Sequence, residues 1–249
     1  MEYDGKRRLT LSELLSAANR LFAGGLGLIV ILNLAAYLPV FIANVTFMSG
    51  MGSLLALANA APEEALRQLQ RLSPSIYAAF GVNLVFAPLA AGGFAYLARA
   101  FTQGRKPDMA GLLNATLARW GKHLVTAVLY NAVLLLSACL IVPMLYFGVS
   151  FGFANEIVTL EGVWGPRALG QSFRLVKGRW WRTMLFLLLS GLAGAVVSFV
   201  MSLVLSLVFF WSNSVVLGLA VAMVSQIFAS YFQVLTALWF INTYDLSRP

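Results

Sequence analysis

Residues 123–155 read HLVTAVLYNAVLLLSACLIVPMLYFGVSFGFAN, 33 positions without Asp, Glu, Lys or Arg. How this run divides decides the fold. A hydrocarbon core of about 30 Å takes roughly 20 helical residues at about 1.5 Å each, so the run is too long for one span and barely long enough for two. Proline interrupts a helix interior, and Pro143 splits the run into residues 124–141 and 144–160. Around it lie four clearer apolar runs: 21–48; 76–97, kinked or locally unwound at Pro88 and loosened by Gly92 and Gly93; 184–210; and 215–242. The last two are separated by the turn-forming residues Trp211, Ser212, Asn213 and Ser214. The fold class is therefore all-α, a polytopic bundle of six transmembrane helices forming a single membrane domain over 1–249.

Charge supports this division, because short cytoplasmic loops collect Lys and Arg. With six spans and the N-terminus in the cytoplasm, 15 of the 17 cations fall inside, leaving Arg67 and Arg71 outside. A single span over 123–155 would move Arg167, Arg174, Lys177, Arg179 and Arg182 outside, and the bias would collapse. Both termini are expected in the cytoplasm.

Composition agrees. The 249 residues are 60% hydrophobic and 10% charged, against about 45 to 50% and about 25% in soluble domains. A soluble enzyme and a disordered chain are both excluded. The net charge of +8 reads as a topology signal rather than a nucleic-acid footprint. One cysteine (Cys139) and one histidine (His123) make neither an internal disulfide nor a His/Cys metal site, so no metal and no cofactor is expected. Ala58-Asn59-Ala60 resembles a signal cleavage site, but the apolar run before it is far longer than the usual region of about 7 to 15 residues.

Three basic amphipathic segments precede outward-going spans: residues 9–22, 109–120 and 168–180. Thr10 and Glu13 fit a capping box, Pro107 and Asp108 are start signals, and Arg167, Arg174 and Lys177 align opposite an apolar face. Each segment is expected as an interfacial helix meeting anionic headgroups, with Arg179 and Arg182 adding to the third. The pattern reads as a threefold parallel repeat of helix plus hairpin over 9–100, 107–161 and 164–243.

Polar residues inside the spans are few. Glu156 is the one carboxylate placed within a span, and such acids are functional candidates. It is grouped with its neighbour Asn155 and with Asn131. Its position, about 7 to 8 Å along a helix from Glu161, favours an ion pair with Arg99, Lys122 or Arg182. Asn33, Asn83, Gln226 and Gln233 read as interhelical hydrogen bonds. Ser190, Gly194, Ser198, Ser202 and Ser206 recur every four residues, a stripe suited to close helix packing, with Gly218, Ala222, Gln226 and Ser230 as a partner row. Such stripes serve one protomer or two, so a membrane-protein partner or a homo-oligomer fits equally.

Residues 154–183 carry Glu161 and Gly162, then Ala168, Leu169, Ser172, Leu175 and Gly178. This spacing resembles the bacterial six-span inner-membrane families that include the YciC-type proteins and the membrane domain fused to some glycerophosphodiester phosphodiesterases. The resemblance implies a helical membrane domain without the catalytic domain. No catalytic pattern occurs in the chain. The expected function is a non-enzymatic scaffold or accessory subunit contacting lipid or a partner through a basic cytoplasmic face. The alternative is a permease for a small or lipidic solute using Glu156 and the serine row; a cavity reaching Glu156 between the spans would favour it.

Overall fold

The computed structural model describes residues 9–56, 62–208 and 215–246. Lys6, Arg7 and Arg8, the Ala58-Asn59-Ala60 triplet and the turn at Trp211 to Ser214 lie outside the described residues. Those described form nine helices and no strand: α1 Leu11–Ala56, α2 Pro62–Thr102, α3 Met109–Thr116, α4 Trp120–Ser137, α5 Ile141–Phe151, α6 Ala154–Glu161, α7 Pro166–Val176, α8 Trp180–Val208 and α9 Val215–Asp245. Among the described residues, five segments are long and apolar enough to cross a bilayer: Leu11–Asn44, Ser73–Thr102, Ile141–Glu161, Trp180–Leu207 and Val216–Asp245. Their number and length make this a helical membrane protein. α4, which carries Lys122 and His123 in its first turn, is not among the five.

The run at 123–155 does divide, though not at Pro143. α4 ends at Ser137 and α5 opens at Ile141, placing Pro143 in the first turn of the later helix. Proline is tolerated there because the first amides have no intrahelical partner; it starts the second helix rather than ending the first. A second interruption, at Gly152 and Phe153, separates α5 from α6.

The first amphipathic segment is not a separate helix. Thr10 and Glu13 make the expected reciprocal cap, with the Thr10 amide donating to Glu13 Oε2 at 2.8 Å and the Glu13 amide to Thr10 Oγ1 at 3.3 Å. From that cap α1 runs without a break through Pro39. Its early turns bury Leu14, Ala17, Ala18 and Leu21, and nothing in this stretch stops helix propagation into the apolar run. In the second and third cases, short turns before Trp120 and Trp180 do set α3 and α7 apart from the span that follows.

α2 is the central helix, packing against α1, α3, α4, α6 and α9. It stays helical through Pro74 and Pro88, so Pro88 does not unwind it. Gly92 and Gly93 are contact points rather than loose joints: a Cβ on Gly93 would meet Leu32 Cδ1 at 2.5 Å, and one on Gly92 would meet His123 Cε1 at 2.9 Å. Their small size lets α1 and α4 approach neighbouring sides of α2. Phe153, Phe240, Ile29, Leu97 and Ile157 are the largest apolar side chains buried in this centre. The outer face of α8, by contrast, exposes Leu185, Leu188, Leu192, Phe199 and Leu203, a surface suited to lipid rather than water.

The chain ends are tied together on one side. The Leu9 amide donates to Asn242 Oδ1 at 3.1 Å, and Arg99 Nη1 reaches both Asp245 oxygens at 2.7 and 2.8 Å. Nearby, Asp108 caps α3 through the Gly111 amide and accepts the Tyr96 hydroxyl at 2.7 Å. These bonds, Tyr96 first, hold the Asp108 carboxyl below its ordinary pKa. A depressed folded-state value stabilises at neutral pH, and the contribution is lost as pH falls through it. Acidification below the ordinary carboxylate range is thus expected to lower the protection of the Gly111 amide relative to its intrinsic exchange rate at the same pH; unchanged protection there would contradict the assignment.

Candidate functional site

The break between α5 and α6 decides where Glu156 sits. At an interruption of the i to i−4 ladder, backbone groups need other partners, and inside a membrane water cannot supply them. Ser172 of α7 supplies both: its hydroxyl donates to the Ser150 carbonyl at 2.9 Å and accepts the Phe153 amide at 3.2 Å. A side chain inserted into the ladder in this way is a recognised cause of a helix kink. Ser172 is fully buried, and Ala168, Leu169 and Leu175 of the same helix pack inward with it.

The other end of α6 is held as firmly. Gly162 caps it at φ 70°, a left-handed conformation that favours glycine. Arg119 donates to the Thr159 carbonyl and Lys122 Nζ to the Gly162 carbonyl at 3.1 Å, cations suited to a helix C-terminus. Glu161 accepts Gln171 Nε2 at 2.8 Å and the Tyr244 hydroxyl at 2.6 Å. Gly178, at φ 81°, turns the chain from α7 into α8. Glu161, Gly162, Ala168, Ser172 and Gly178 therefore act together as the frame of α6.

Within that frame Glu156 lies in the first turn of α6, at the positive end of its dipole. It lines a cleft of about 470 Å³ with Tyr37, Phe94, Ser190, Gly194, Ser198, Gln226, Phe232, Gln233 and Thr236. On α8 the lining runs from Leu187 to Ser198 within the apolar segment Trp180–Leu207, and on α9 from Gln226 to Ala237 within Val216–Asp245. The cleft thus occupies the middle of both segments. Its size falls in the range of small-molecule sites.

The expected ion pair is not made. Arg99 is engaged by Asp245, Lys122 by the Gly162 carbonyl, and Arg182 sits in a separate notch of about 50 Å³ with Leu9, Arg179, Trp239 and Asn242. Glu156 Oε2 is buried without a hydrogen-bond partner, and so is Gln233 Oε1 in the same cleft. The reason is geometric: the kink at Gly152 turns α6 so that Glu156 faces α8 and α9, whereas Arg119 and Lys122 engage the helix end.

Asn155, the preceding residue, faces a second cavity of about 480 Å³ together with Asn44, Asn83, Tyr130 and Asn131. Ala87 and Ala91 of α2 line both cavities. Glu156, Asn155 and Asn131 are brought to one region, on two sides of α2.

The serine row divides by depth. Ser190, Gly194 and Ser198 line the cleft; Ser202 bonds Ser225 at 2.9 Å, and Ser206 is exposed. A Cβ on Gly194 would lie 3.5 Å from Phe232 Cδ2. Of the row expected on α9, Gln226 borders the cleft with Ser190 and Ser198, and Ser225, Phe232 and Thr236 complete the facing side. Ser230 serves a different helix, accepting Asn33 Nδ2 at 3.0 Å. Gln233 makes its interhelical bond, to the Tyr37 hydroxyl at 2.8 Å. Gln226 and Gln233, seven residues apart, lie two turns apart on one helix face, and that spacing is the sequence signal for the cleft wall. Arg167, Arg174 and Lys177 remain exposed on α7.

No family model, curated protein or solved structure matches the chain.

The frame around α6 can be probed at its serine. Ser172→Ala leaves the Phe153 amide and the Ser150 carbonyl unpartnered, and should cost about 1 to 3 kcal/mol, read as a lowered midpoint of unfolding in detergent. An unchanged midpoint would show that the break holds without Ser172.

Proposed function

We propose that the protein is a non-enzymatic inner-membrane permease in which a small or lipidic solute occupies the mid-span cleft beside Glu156. The observation that supports this reading is the carboxylate itself, with a buried unpartnered oxygen in about 470 Å³ of space. A purely structural seam has no use for that combination, because burying a polar atom without a hydrogen-bond partner is costly. Close helix packing accounts for Ser202 with Ser225, but not for the open volume between Ser190, Ser198 and Gln226.

The topology belonging to this reading is six spans with both ends in the cytoplasm, α4 and the α5–α6 pair forming the middle hairpin. It retains the threefold parallel repeat, the first unit having its interfacial helix fused into α1. The resemblance to the YciC-type families fits the frame around α6, since the residues that carry it are those holding α6 and α7 together. Exposed Arg167, Arg174 and Lys177 support a second role for α7, contact with anionic headgroups. A scaffold using that face is compatible with a permease, and it leaves the cleft without a purpose.

Uptake and sidedness are both measurable. In proteoliposomes, Glu156→Gln should abolish solute uptake or reduce it by about tenfold or more, while Glu63→Gln leaves it unchanged; equal uptake by both variants would remove Glu156 from the route. For topology, Cys139 sits at the tip of the α4–α5 hairpin, exposed beside Leu136, Leu140 and Ile141. In spheroplasts it should react with an impermeant maleimide added outside, as should a Gln70→Cys control in a Cys139→Ser background. Labelling of the control alone would make α4–α5 a re-entrant hairpin, an arrangement that leaves the sidedness of every cation unchanged.

A further inference from the structure

We infer that the cleft beside Glu156 selects a cationic solute bearing an ammonium group next to an apolar or aromatic body. The inference rests on the solute-cleft reading above and adds the ligand's chemistry. Two residues that line the same space, Glu156 and Gln233, each carry a buried oxygen without a donor, Oε2 and Oε1. Three lining donors are already committed, Gln233 Nε2 to Tyr37, the Ser190 hydroxyl to the Leu187 carbonyl at 3.2 Å, and the Thr236 hydroxyl to the Phe232 carbonyl at 2.9 Å, while Ser198, Gln226 and the Tyr37 hydroxyl keep neutral donors for other parts of a ligand. Among the described residues, no Lys, Arg or His lines the cleft.

A carboxyl group with no cation beside it in the lining is matched by a cationic donor. An ammonium carries donors and no acceptor, and it supplies the counter-charge that the Glu156 carboxylate lacks. An anion would place a second uncompensated negative charge in a desolvated site. A neutral solute would leave the carboxylate as it is. The remaining lining suits the rest of such a ligand: Phe94, Phe232 and Tyr37 present aromatic surface, which attracts cations as well as apolar groups. The volume admits a single-ring amine with room for its chain.

The test uses three ligands of one shape, 2-phenylethylammonium, 2-phenylethanol and phenylacetate, measured by equilibrium binding and by proteoliposome uptake with the full-length protein. Gly191→Phe provides the blocked reference. Gly191 is an exposed residue of the cleft lining, and a Cβ there meets nothing within 4 Å, so the ring is added at the cleft without a clash in the helix, and the variant serves as the reference for partition into the micelle.

The expected result is saturable binding of 2-phenylethylammonium about tenfold or more above either analogue. It should be lost in Gly191→Phe and weakened by a similar factor in Glu156→Gln. Equal binding of the alcohol, or preference for the carboxylate, overturns the ligand class while leaving the solute-cleft reading intact. Ammonium binding without uptake keeps the ligand class and removes transport. No binding of the ammonium above the Gly191→Phe background overturns the inference. If Glu156→Gln fails to fold, the comparison of the three ligands in the native protein still decides it.

Discussion

The Ser172 hydroxyl, inserted between the Ser150 carbonyl and the Phe153 amide, is the contact on which the rest of the site depends. Backbone groups freed within a membrane must be satisfied by protein, so a break in a span survives only where another element supplies both a donor and an acceptor. α7 lies outside the spans yet buries that hydroxyl at the break. Without it the α5–α6 ladder has no reason to stop at Gly152, and a continuous helix would carry Glu156 to a different face. The interfacial helix therefore works as a structural part of the span it touches, and its basic outer surface is what remains for lipid.

The frame also gives α2 its role. Gly93 and Gly92 bring Leu32 and His123 close on neighbouring sides of α2, and Ala91, which immediately precedes them, forms with Ala87 the partition between the two polar cavities. Small residues do two jobs along one stretch of helix, close contact and a thin wall. The most deeply packed helix in the molecule thus carries the boundary of both cavities.

Much of the architecture is legible in the sequence. Apolar run length and loop charge point to the helical membrane class, the Thr10–Glu13 cap forms as its spacing requires, and α3 begins where Asp108 indicates. The division of residues 123–155 is legible as a need but displaced in place, because proline breaks a helix interior yet fits a first turn, and the chain uses the second property. Glu156 is legible as an oddity. Its surroundings are not, since linear distance to Arg99, Lys122 or Arg182 says nothing about a kink that turns the side chain away from all three. The serine row shows the same limit: four-residue spacing tells which residues share a face of α8, while the residue opposite each is set by how α9 lies against it. Ser172 carries a signal of another kind, a polar residue on the inner face of an amphipathic helix, where burial demands a partner.

A solute cleft requires that the row containing Ser198 border a polar space open to small molecules rather than a sealed packing seam. The most direct measurement is Ser198→Cys in a Cys139→Ser background, comparing modification by cationic and anionic methanethiosulfonate reagents. The expected result follows from the Glu156 charge and the open cleft together: the cationic reagent modifies the introduced thiol faster than the anionic one, and Gly191→Phe suppresses the reaction. A folded protein whose thiol at position 198 resists both reagents would contradict it.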